Sequence, residues 1–230
     1  MSVTKNQHIV LIAKRAELDQ PGCWSVYFDR PKHFVFEAGD WIDIQFEDRT
    51  LKGGITYSIS SSPLEDDIRI SFREGISELK TALQSVKGGE HLFISQYGND
   101  YNFQLKKNQS SVLIAGGVGI APFRSMLKEM YENHDKNTIH LIYLHQNEQF
   151  LFKDELDKWA RTLPNLTISY IVTRDSNRKK RQRLILSLIS NLHQNFYISG
   201  PESMVESNEH LLIDAGVQVR DIRIDSFGGY

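Results

Sequence analysis

Three glycines between an apolar segment and a proline have the spacing that most clearly suggests chemistry. Gly116, Gly117 and Gly119 follow the apolar residues 112–115, and Pro122 comes three residues later. Glycine permits a sharp turn, and proline is tolerated in the first turn of a helix. The start of such a helix offers unpaired N–H groups and a positive dipole end, both of which favour phosphate. We expect a dinucleotide pyrophosphate site here. The third glycine of the Rossmann fingerprint is absent, so a purely structural turn remains an alternative.

The patterns of apolar residues before and after this segment differ. From residue 8 to about 104 apolar residues mostly alternate with polar ones, as at Trp24, Val26 and Phe28, and glycine turns separate the segments. This pattern predicts short strands in a small antiparallel barrel, interrupted by one helical stretch at 77–83.

After Asn108 short apolar strands alternate with helical stretches. The predicted strands are 112–115, 139–144, 168–172 and 196–199. This alternation is typical of a doubly wound parallel sheet. The sequence therefore predicts two domains, an antiparallel β-barrel at 1–105 and an α/β domain at 106–230.

Composition restricts the function classes. At 230 residues and 40% hydrophobic content, the chain can form two modest cores. A net charge of −2 and a pI near 6.4 argue against general binding to nucleic acid or membrane surfaces. Cys23 is the single cysteine, which excludes an internal disulfide and a four-cysteine iron–sulfur site within the chain. No apolar run is long enough for a signal core or a membrane span, so we expect a cytoplasmic protein, with no metal site indicated by the histidine spacing.

Three motifs in a fixed order carry a family resemblance. They are Tyr-Ser-Ile-Ser-Ser at 57–61, Gly-Gly-Val-Gly-Ile-Ala-Pro at 116–122 and Gly-Pro-Glu-Ser-Met at 200–204. In this arrangement the chain resembles the ferredoxin-NADP reductase family from about residue 8 to its end. The resemblance implies a barrel that binds FAD and an α/β domain that binds NADPH. It also implies hydride transfer from NAD(P)H to the flavin and electron transfer to a separate acceptor, such as a ferredoxin, a flavodoxin or an oxygenase component. Gly116, Gly117, Gly119, Ile120 and Pro122 would then contact the nicotinamide cofactor.

The resemblance places the flavin ring along the first motif. Tyr57 would lie beside the isoalloxazine ring or the ribityl chain, and Ser58 would place its hydroxyl near flavin N5. Ile59 and Ser60 continue the same cofactor-binding segment. An ordinary serine-rich strand is the structural alternative.

A second segment resembles the family's flavin-phosphate turn. Gly75 and Ser77 precede a helix whose start would receive the pyrophosphate, and Lys80 or Arg73 could add positive charge. The family usually carries an arginine two residues before the tyrosine, where this chain has Ile55. Since a bidentate cation is missing there, FMN remains an alternative to FAD.

The choice of nicotinamide cofactor depends on the segment after residue 172. Thr173 and Arg174 match the pair that binds the 2′-phosphate in NADP-using family members, and six of the ten residues 174–183 are basic. An arginine with neighbouring cations suits a phosphate monoester, which favours NADPH. Asp175 could instead suit a free ribose hydroxyl, so NADH remains possible.

The resemblance assigns the reacting face to residues of both domains. Ser199 stands where the family has a cysteine before Gly200 and Pro201, the turn that brings the nicotinamide to the flavin. In the closing segment Asp225 would lie near the reacting face, and Phe227 would cover the flavin until the nicotinamide displaces it. Ser58, Ser199, Asp225 and Phe227 are the predicted catalytic residues.

Three departures from the family leave a second class of function open. They are Ile55, Ser199 and the absence of a Gly-Pro-x-Gly segment at 96–99. A chain that kept the fold but lost its flavin would be a regulatory or binding module. The sequence indicates neither the oligomeric state nor the identity of the acceptor.

Overall fold

The computed structural model describes residues 9–174 and 176–227. Its first domain is a six-stranded antiparallel sheet with strand order β4-β3-β6-β1-β2-β5. Ile59, directly after β4, forms an antiparallel bridge with Ile70 of β5, which brings the two edges of the sheet together as in a barrel. The elements are β1 (Ile9–Gln20), β2 (Cys23–Asp29), β3 (Trp41–Phe46), β4 (Thr56–Ser58), β5 (Asp67–Arg73), α1 (Glu78–Gln84) and β6 (His91–Gly98).

The predicted alternation produces the core of this barrel. In β3 the side chains of Ile42, Ile44 and Phe46 are buried, and the residues between them are partly exposed. Successive residues of a strand point to opposite faces, so one face fills the barrel. Helix α1 begins after Ser77, whose hydroxyl oxygen accepts a hydrogen bond from the Lys80 amide at 3.3 Å.

The second domain is a five-stranded parallel sheet with order β11-β10-β7-β8-β9. Short 3₁₀ turns occupy 117–119 and 219–221. The elements are β7 (Ser111–Gly116), α2 (Ile120–Glu132), β8 (Ile139–His145), α3 (Lys153–Thr162), β9 (Leu166–Val172), α4 (Arg178–Leu188), β10 (Asn195–Pro201), α5 (Glu202–Asp214) and β11 (Ile222–Phe227).

The central strand β7 is buried on both faces. Leu113 and Ala115 belong to a core with residues of α2 and α3, while Val112 and Ile114 belong to a second core with residues of α4 and α5. Helices thus cover both sides of the sheet. This arrangement, together with the barrel, confirms the predicted fold class.

The connection from β6 to β7 passes over the second domain. Phe103 is buried in that domain's core, with its ring centroid 5.6 Å from that of Phe123 and 5.7 Å from that of Tyr197. The boundary near residue 105 stays a prediction. None of the helices in the described part of the chain combines the length and apolar content needed to cross a bilayer.

Candidate active site

A cavity of about 830 Å³ lies between the loops of the barrel and the last strand of the second domain. Its walls come from four segments that precede β7 and from β11, so both domains contribute. The lining residues are Trp41, Gly53, Gly54, Thr56, Tyr57, Ser58, Gly75, Ile76, Ser77, Lys80, Asp100, Asp225, Ser226 and Phe227. Ligand pockets in proteins typically measure 300–1,000 Å³, so this one can hold a large cofactor.

Three of the predicted catalytic residues meet at one carboxylate. The Ser58 hydroxyl donates to Asp225 Oδ2 at 3.3 Å, and the Ser199 hydroxyl donates to the same oxygen at 3.2 Å. Burial raises the pKa of Asp225, and the two serine hydrogen bonds lower it by less. The carboxyl group therefore retains a proton to a higher pH than an exposed aspartate does.

Two of the predicted cofactor residues that line the cavity are aromatic. Phe227, the last described residue of β11, pairs with Pro201 in the parallel register of β10. Tyr57 is buried, its hydroxyl donates to the Gly54 carbonyl at 3.1 Å, and its ring meets the Phe72 ring edge-on at 5.6 Å. These contacts fix the Tyr57 ring in the cavity wall.

The opposite end of the cavity is built from glycine turns and one lysine. Gly53 has φ +136°, and a Cβ there would lie 2.8 Å from Ser77 Cβ, so the turn packs directly on the cap of α1. Lys80 is buried and is the one cation among the described residues of the cavity lining. Burial, together with the charge of Arg73, lowers its pKa to about 8. A Cβ at Gly75 would lie 3.5 Å from Lys80 Nζ.

The segment after Ser58 does not line the cavity. Ile59 is fully buried in the barrel core, and Ser60 donates from Oγ to the Arg69 carbonyl at 3.1 Å. Although predicted to bind the cofactor, both side chains lie elsewhere. Ile55 also packs against the barrel core, so the family's arginine position contributes no polar group to the cavity.

Sequence reasoning missed the cavity residues Trp41 and Asp100. Trp41 stands directly opposite Ser58 in the β3–β4 register, and its indole N–H donates to Asp100 Oδ2 at 3.0 Å. The alternation of Ile42, Ile44 and Phe46 predicts this strand but not its register with β4. The register of β3 with β4 would have identified Trp41 as a neighbour of Ser58.

The glycine loop of the second domain forms a strand, a 3₁₀ turn and a helix start, as predicted. Gly117 has φ +57°, and its carbonyl accepts a hydrogen bond from the Tyr143 hydroxyl at 2.9 Å. A Cβ at Gly119 would lie 2.3 Å from the Ser199 carbonyl oxygen and 2.7 Å from Gly200 Cα. Glycine at 119 therefore allows the loop to contact the turn that carries Ser199.

The ends of β7 and β10 are held together by one methionine. A Cβ at Gly116 and a Cβ at Gly200 would each lie 2.4 Å from Met204 Cε, so this side chain fills the space that both glycines leave. The side chains of Ile120 and Pro122 are buried within the domain. Of these two predicted cofactor residues, mainly the backbone atoms can therefore contact a ligand.

A second cavity of about 290 Å³ lies at the carboxyl end of the parallel sheet, between α4 and α5. Arg178 and Arg181 supply its positive charge, and neither was singled out from the basic segment of the sequence. It is lined by Leu144, Arg178, Arg181, Gln182, Ile185, Ser203, Met204, Ser207 and Asn208.

The predicted phosphate-binding pair, Thr173 and Arg174, does not belong to the lining of this second cavity. Thr173 bonds through its hydroxyl to the His145 carbonyl at 3.1 Å, and Arg174 is exposed. Asp175, which kept NADH as an alternative, lies outside the described residues.

Comparisons with known proteins agree with this arrangement. Residues 113–210 match the family described as the oxidoreductase NAD-binding domain. A ferredoxin NADP+ reductase from Neisseria gonorrhoeae, solved with bound FAD and NADP, aligns with a TM-score of 0.78 over 96% of this chain and 99% of that one, at 18% identity. The chain has the ferredoxin-NADP reductase fold. The resemblance inferred from the three motifs is thus confirmed.

Other proteins with this fold include the FAD/NAD-binding domain of a Vibrio cholerae nitric oxide dioxygenase. It aligns with a TM-score of 0.79 at 17% identity and covers 97% of this chain and 100% of that one.

Curated relatives of this reductase-fold chain are longer proteins. The phenol hydroxylase P5 protein of Acinetobacter pittii is 25% identical over 214 residues, which cover 86% of this chain and 59% of the relative. Terephthalate 1,2-dioxygenase reductase component 1 of Comamonas is 24% identical, with 85% and 60% covered. The Bacillus subtilis flavohemoprotein is 27% identical, with 84% and 52% covered. The chain spans between about half and three fifths of the length of these relatives.

Proposed function

We propose that this chain is a flavoprotein oxidoreductase that takes a hydride from NADPH onto bound FAD and delivers electrons to a separate protein acceptor. The observation that carries the proposal is the meeting of Ser58, Ser199 and Asp225 beside the larger cavity. The two serines come from different domains, and each domain resembles a cofactor-binding module. Their shared carboxylate lies where the two cofactors would have to meet.

The residues of the larger cavity fit a flavin. The fixed ring of Tyr57 and the side chain of Phe227 offer flat faces, and Ser58 offers a small hydroxyl. The Lys80 ammonium group, also in the cavity lining, can pair with a pyrophosphate. It would substitute for the arginine of the family, whose position is occupied by Ile55 in this chain. When bound, the flavin would accept two electrons and one proton as a hydride, oxidise the nicotinamide and release the electrons to the acceptor.

The chain's own groups would orient the cofactors and handle a proton. The serine hydroxyls hold the Asp225 carboxyl at the cavity edge, and burial raises its pKa, so it keeps a proton to a higher pH than an exposed aspartate. The glycine loop brings the start of α2 against the turn after Ser199, where backbone N–H groups can bind the nicotinamide cofactor's pyrophosphate.

The second cavity supports NADPH as the hydride donor. Arg178 and Arg181 of α4 line this hollow, and guanidinium groups bind phosphate monoesters well. We assign the 2′-phosphate to this hollow. Ser203 at the start of α5 adds a hydroxyl to the same wall.

The names of relatives support a protein acceptor. Two of them are called a phenol hydroxylase P5 protein and a dioxygenase reductase component, and the matching regions cover 59% and 60% of their lengths. We propose that the acceptor of this chain is an oxygenase component, a ferredoxin or a flavodoxin.

One spectroscopic experiment tests the proposal. The purified protein, or the apoprotein with added FAD, should show flavin absorbance bands, and NADPH should bleach them without oxygen. Titration with FMN in parallel distinguishes the two flavins. A protein that stays colourless with both flavins would reject the enzyme and favour the binding-module alternative.

A further inference from the structure

A cluster of paired charged side chains lies at the domain junction, away from both cavities that the proposed function uses. Its centre is Arg124 on α2, which is 4% exposed. We propose that Arg124 and its partner Glu65 are positioning residues that fix the nicotinamide-binding helix against the flavin-binding strand. This inference rests on the proposed function, because it concerns the geometry of hydride transfer.

Arg124 uses its guanidinium group to join three segments of the chain. Nη1 and Nη2 bind the two oxygens of Glu65 at 2.6 and 3.0 Å, a bidentate pair between the domains. Nε donates to Glu155 Oε2 on α3 at 2.9 Å, and Nη1 also donates to the Ser60 carbonyl at 2.9 Å. The planar fork of arginine allows these contacts to be made together, which a lysine could not do.

The neighbouring residue strengthens the same junction. The Ser125 hydroxyl donates to the Ser61 carbonyl at 2.6 Å, and the Ser62 amide donates to Glu65 Oε2 at 2.6 Å. Two successive residues of α2 therefore bind two successive carbonyls of the segment that follows β4. Sliding or rotation of one domain against the other would break these contacts together.

The junction connects the two elements that would carry the cofactors. Arg124 lies five residues after Gly119, a distance of roughly 7–8 Å along a helix. Ser60 lies two residues after Ser58, whose hydroxyl reaches Asp225 at the larger cavity. A shift at the junction would therefore be transmitted over a short, rigid path to the place where the cofactors meet.

Charge and burial explain why this cluster sets orientation. Burial raises the pKa of Glu65, but the hydrogen bond and charge of Arg124 outweigh it, so the pKa is lowered and the pair stays ionised. Buried ion pairs lose hydration, so their net contribution to stability is small compared with apolar packing. Their directional bonds nevertheless favour one arrangement. A misplacement of about 1 Å between reacting groups can slow a reaction roughly a hundredfold.

The test compares wild type with Glu65→Gln, which keeps the shape but removes the charge. Asp66→Asn is the matched control, since it removes a charge from an exposed side chain of the same loop. Each protein is loaded with FAD, and stopped-flow mixing with NADPH separates nicotinamide affinity from the first-order rate of flavin reduction. Hydrogen–deuterium exchange on the apoprotein reports the opening of segment 59–66 without any cofactor.

We expect Glu65→Gln to bind FAD and NADPH with unchanged affinity, to reduce its flavin at least about tenfold more slowly, and to exchange faster at 59–66. Arg124→Lys should show the same split. A wild-type reduction rate in Glu65→Gln, or a loss that only follows its flavin content, would overturn the inference and leave the proposed function intact. Absence of flavin reduction in the wild-type protein would instead overturn both.

Discussion

Ser58 and Asp225 belong to different domains, yet the Ser58 hydroxyl donates to Asp225 Oδ2 at 3.3 Å. The partly buried carboxyl group has a raised pKa because burial outweighs the hydrogen bonds from Ser199 and Ser58. Folding therefore imposes a cost on the ionised form of this aspartate. Functional sites often retain groups of this kind at the expense of stability.

We predict that Asp225→Asn stabilises the apoprotein at pH 7. An acid whose pKa rises on folding lowers stability as pH increases from its ordinary value through the raised one, and above that the loss is complete. The asparagine side chain of the variant does not ionise, so its stability does not fall with pH in this way. Thermal unfolding from pH 4 to pH 8 should show the variant's advantage growing with pH, where roughly 2–4 °C corresponds to 1 kcal/mol. Equal melting curves at every pH would contradict the raised pKa.

Lys80 should govern flavin affinity. Lys80→Met removes the cation nearest Gly75 while keeping the apolar stem, so we expect FAD to bind about 10- to 100-fold more weakly, the effect of losing one charge-assisted contact. Because burial and Arg73 lower the pKa of Lys80 to about 8, the affinity of the wild-type apoprotein should fall as pH rises past that value.

Fluorescence titration of apoprotein with FAD measures both effects. Lys52→Met is the control, since Lys52 is exposed and precedes the glycine turn without lining the cavity. The Lys80→Met variant should lose the pH dependence near 8 as well as the affinity. If Lys52→Met weakens binding as much, the effect reflects general charge.

Arg181 should discriminate between the two nicotinamide cofactors. Arg181→Ala should raise the Michaelis constant for NADPH about 10- to 100-fold and leave that for NADH nearly unchanged, because only NADPH carries the 2′-phosphate. The control is Arg183→Ala, which removes an exposed arginine of the same helix. Parallel changes for both cofactors would reject the second cavity as the phosphate site.

Phe227 should limit access of nicotinamide to the flavin. Phe227→Ser removes an aromatic face from the cavity wall, so NADP+ should bind about 2- to 10-fold more tightly and the flavin spectrum should shift. Difference spectra recorded during NADP+ titration measure both quantities. A variant with a lower melting temperature but an unchanged spectrum and affinity would show that Phe227 only packs the sheet edge.

Gly119 should tolerate no side chain. In Gly119→Ala the new Cβ meets the Ser199 carbonyl and Gly200 Cα, which are backbone atoms that cannot rotate away. We expect a loss of about 1–3 kcal/mol in unfolding free energy and a disturbed Ser199 turn. Denaturant unfolding of the apoprotein measures the loss. At Gly54 a Cβ meets nothing within 4 Å, so Gly54→Ala should unfold like the wild type.

The sequence allowed accurate prediction where local chemistry determines structure. The glycine loop at 116–119 and the buried strand before it formed as expected, because turn residues and apolar runs act over a few neighbours. The resemblance predicted Ser58 near flavin N5 and Asp225 near the reacting face, but not the hydrogen bond between them. Trp41 was not predicted as a cavity residue, because its position depends on the pairing of β3 with β4.

Polar residues at the domain junction could not be predicted from alternation. Ser25 alternates with apolar residues of β2, a pattern that predicts an exposed side chain. The side chain is instead fully buried, and its hydroxyl accepts a hydrogen bond from Arg69 Nε at 2.9 Å. Arg69 in turn pairs with Asp19 at 2.7 Å. Burial of this network comes from packing between distant segments, and no property of the local sequence reports it.

The packing of Phe103 determines how the chain can be divided into separately expressed fragments. Its ring fills space between Phe123 and Tyr197, so a fragment that starts at residue 106 would leave a void of aromatic size in its own core. Emptying such a site typically costs about 3–5 kcal/mol, a large share of a domain's stability. A fragment that starts at Asn99 keeps the ring and also the bond from the Phe103 amide to the Asn99 side chain. Dissection of the two halves should therefore cut the chain before this loop.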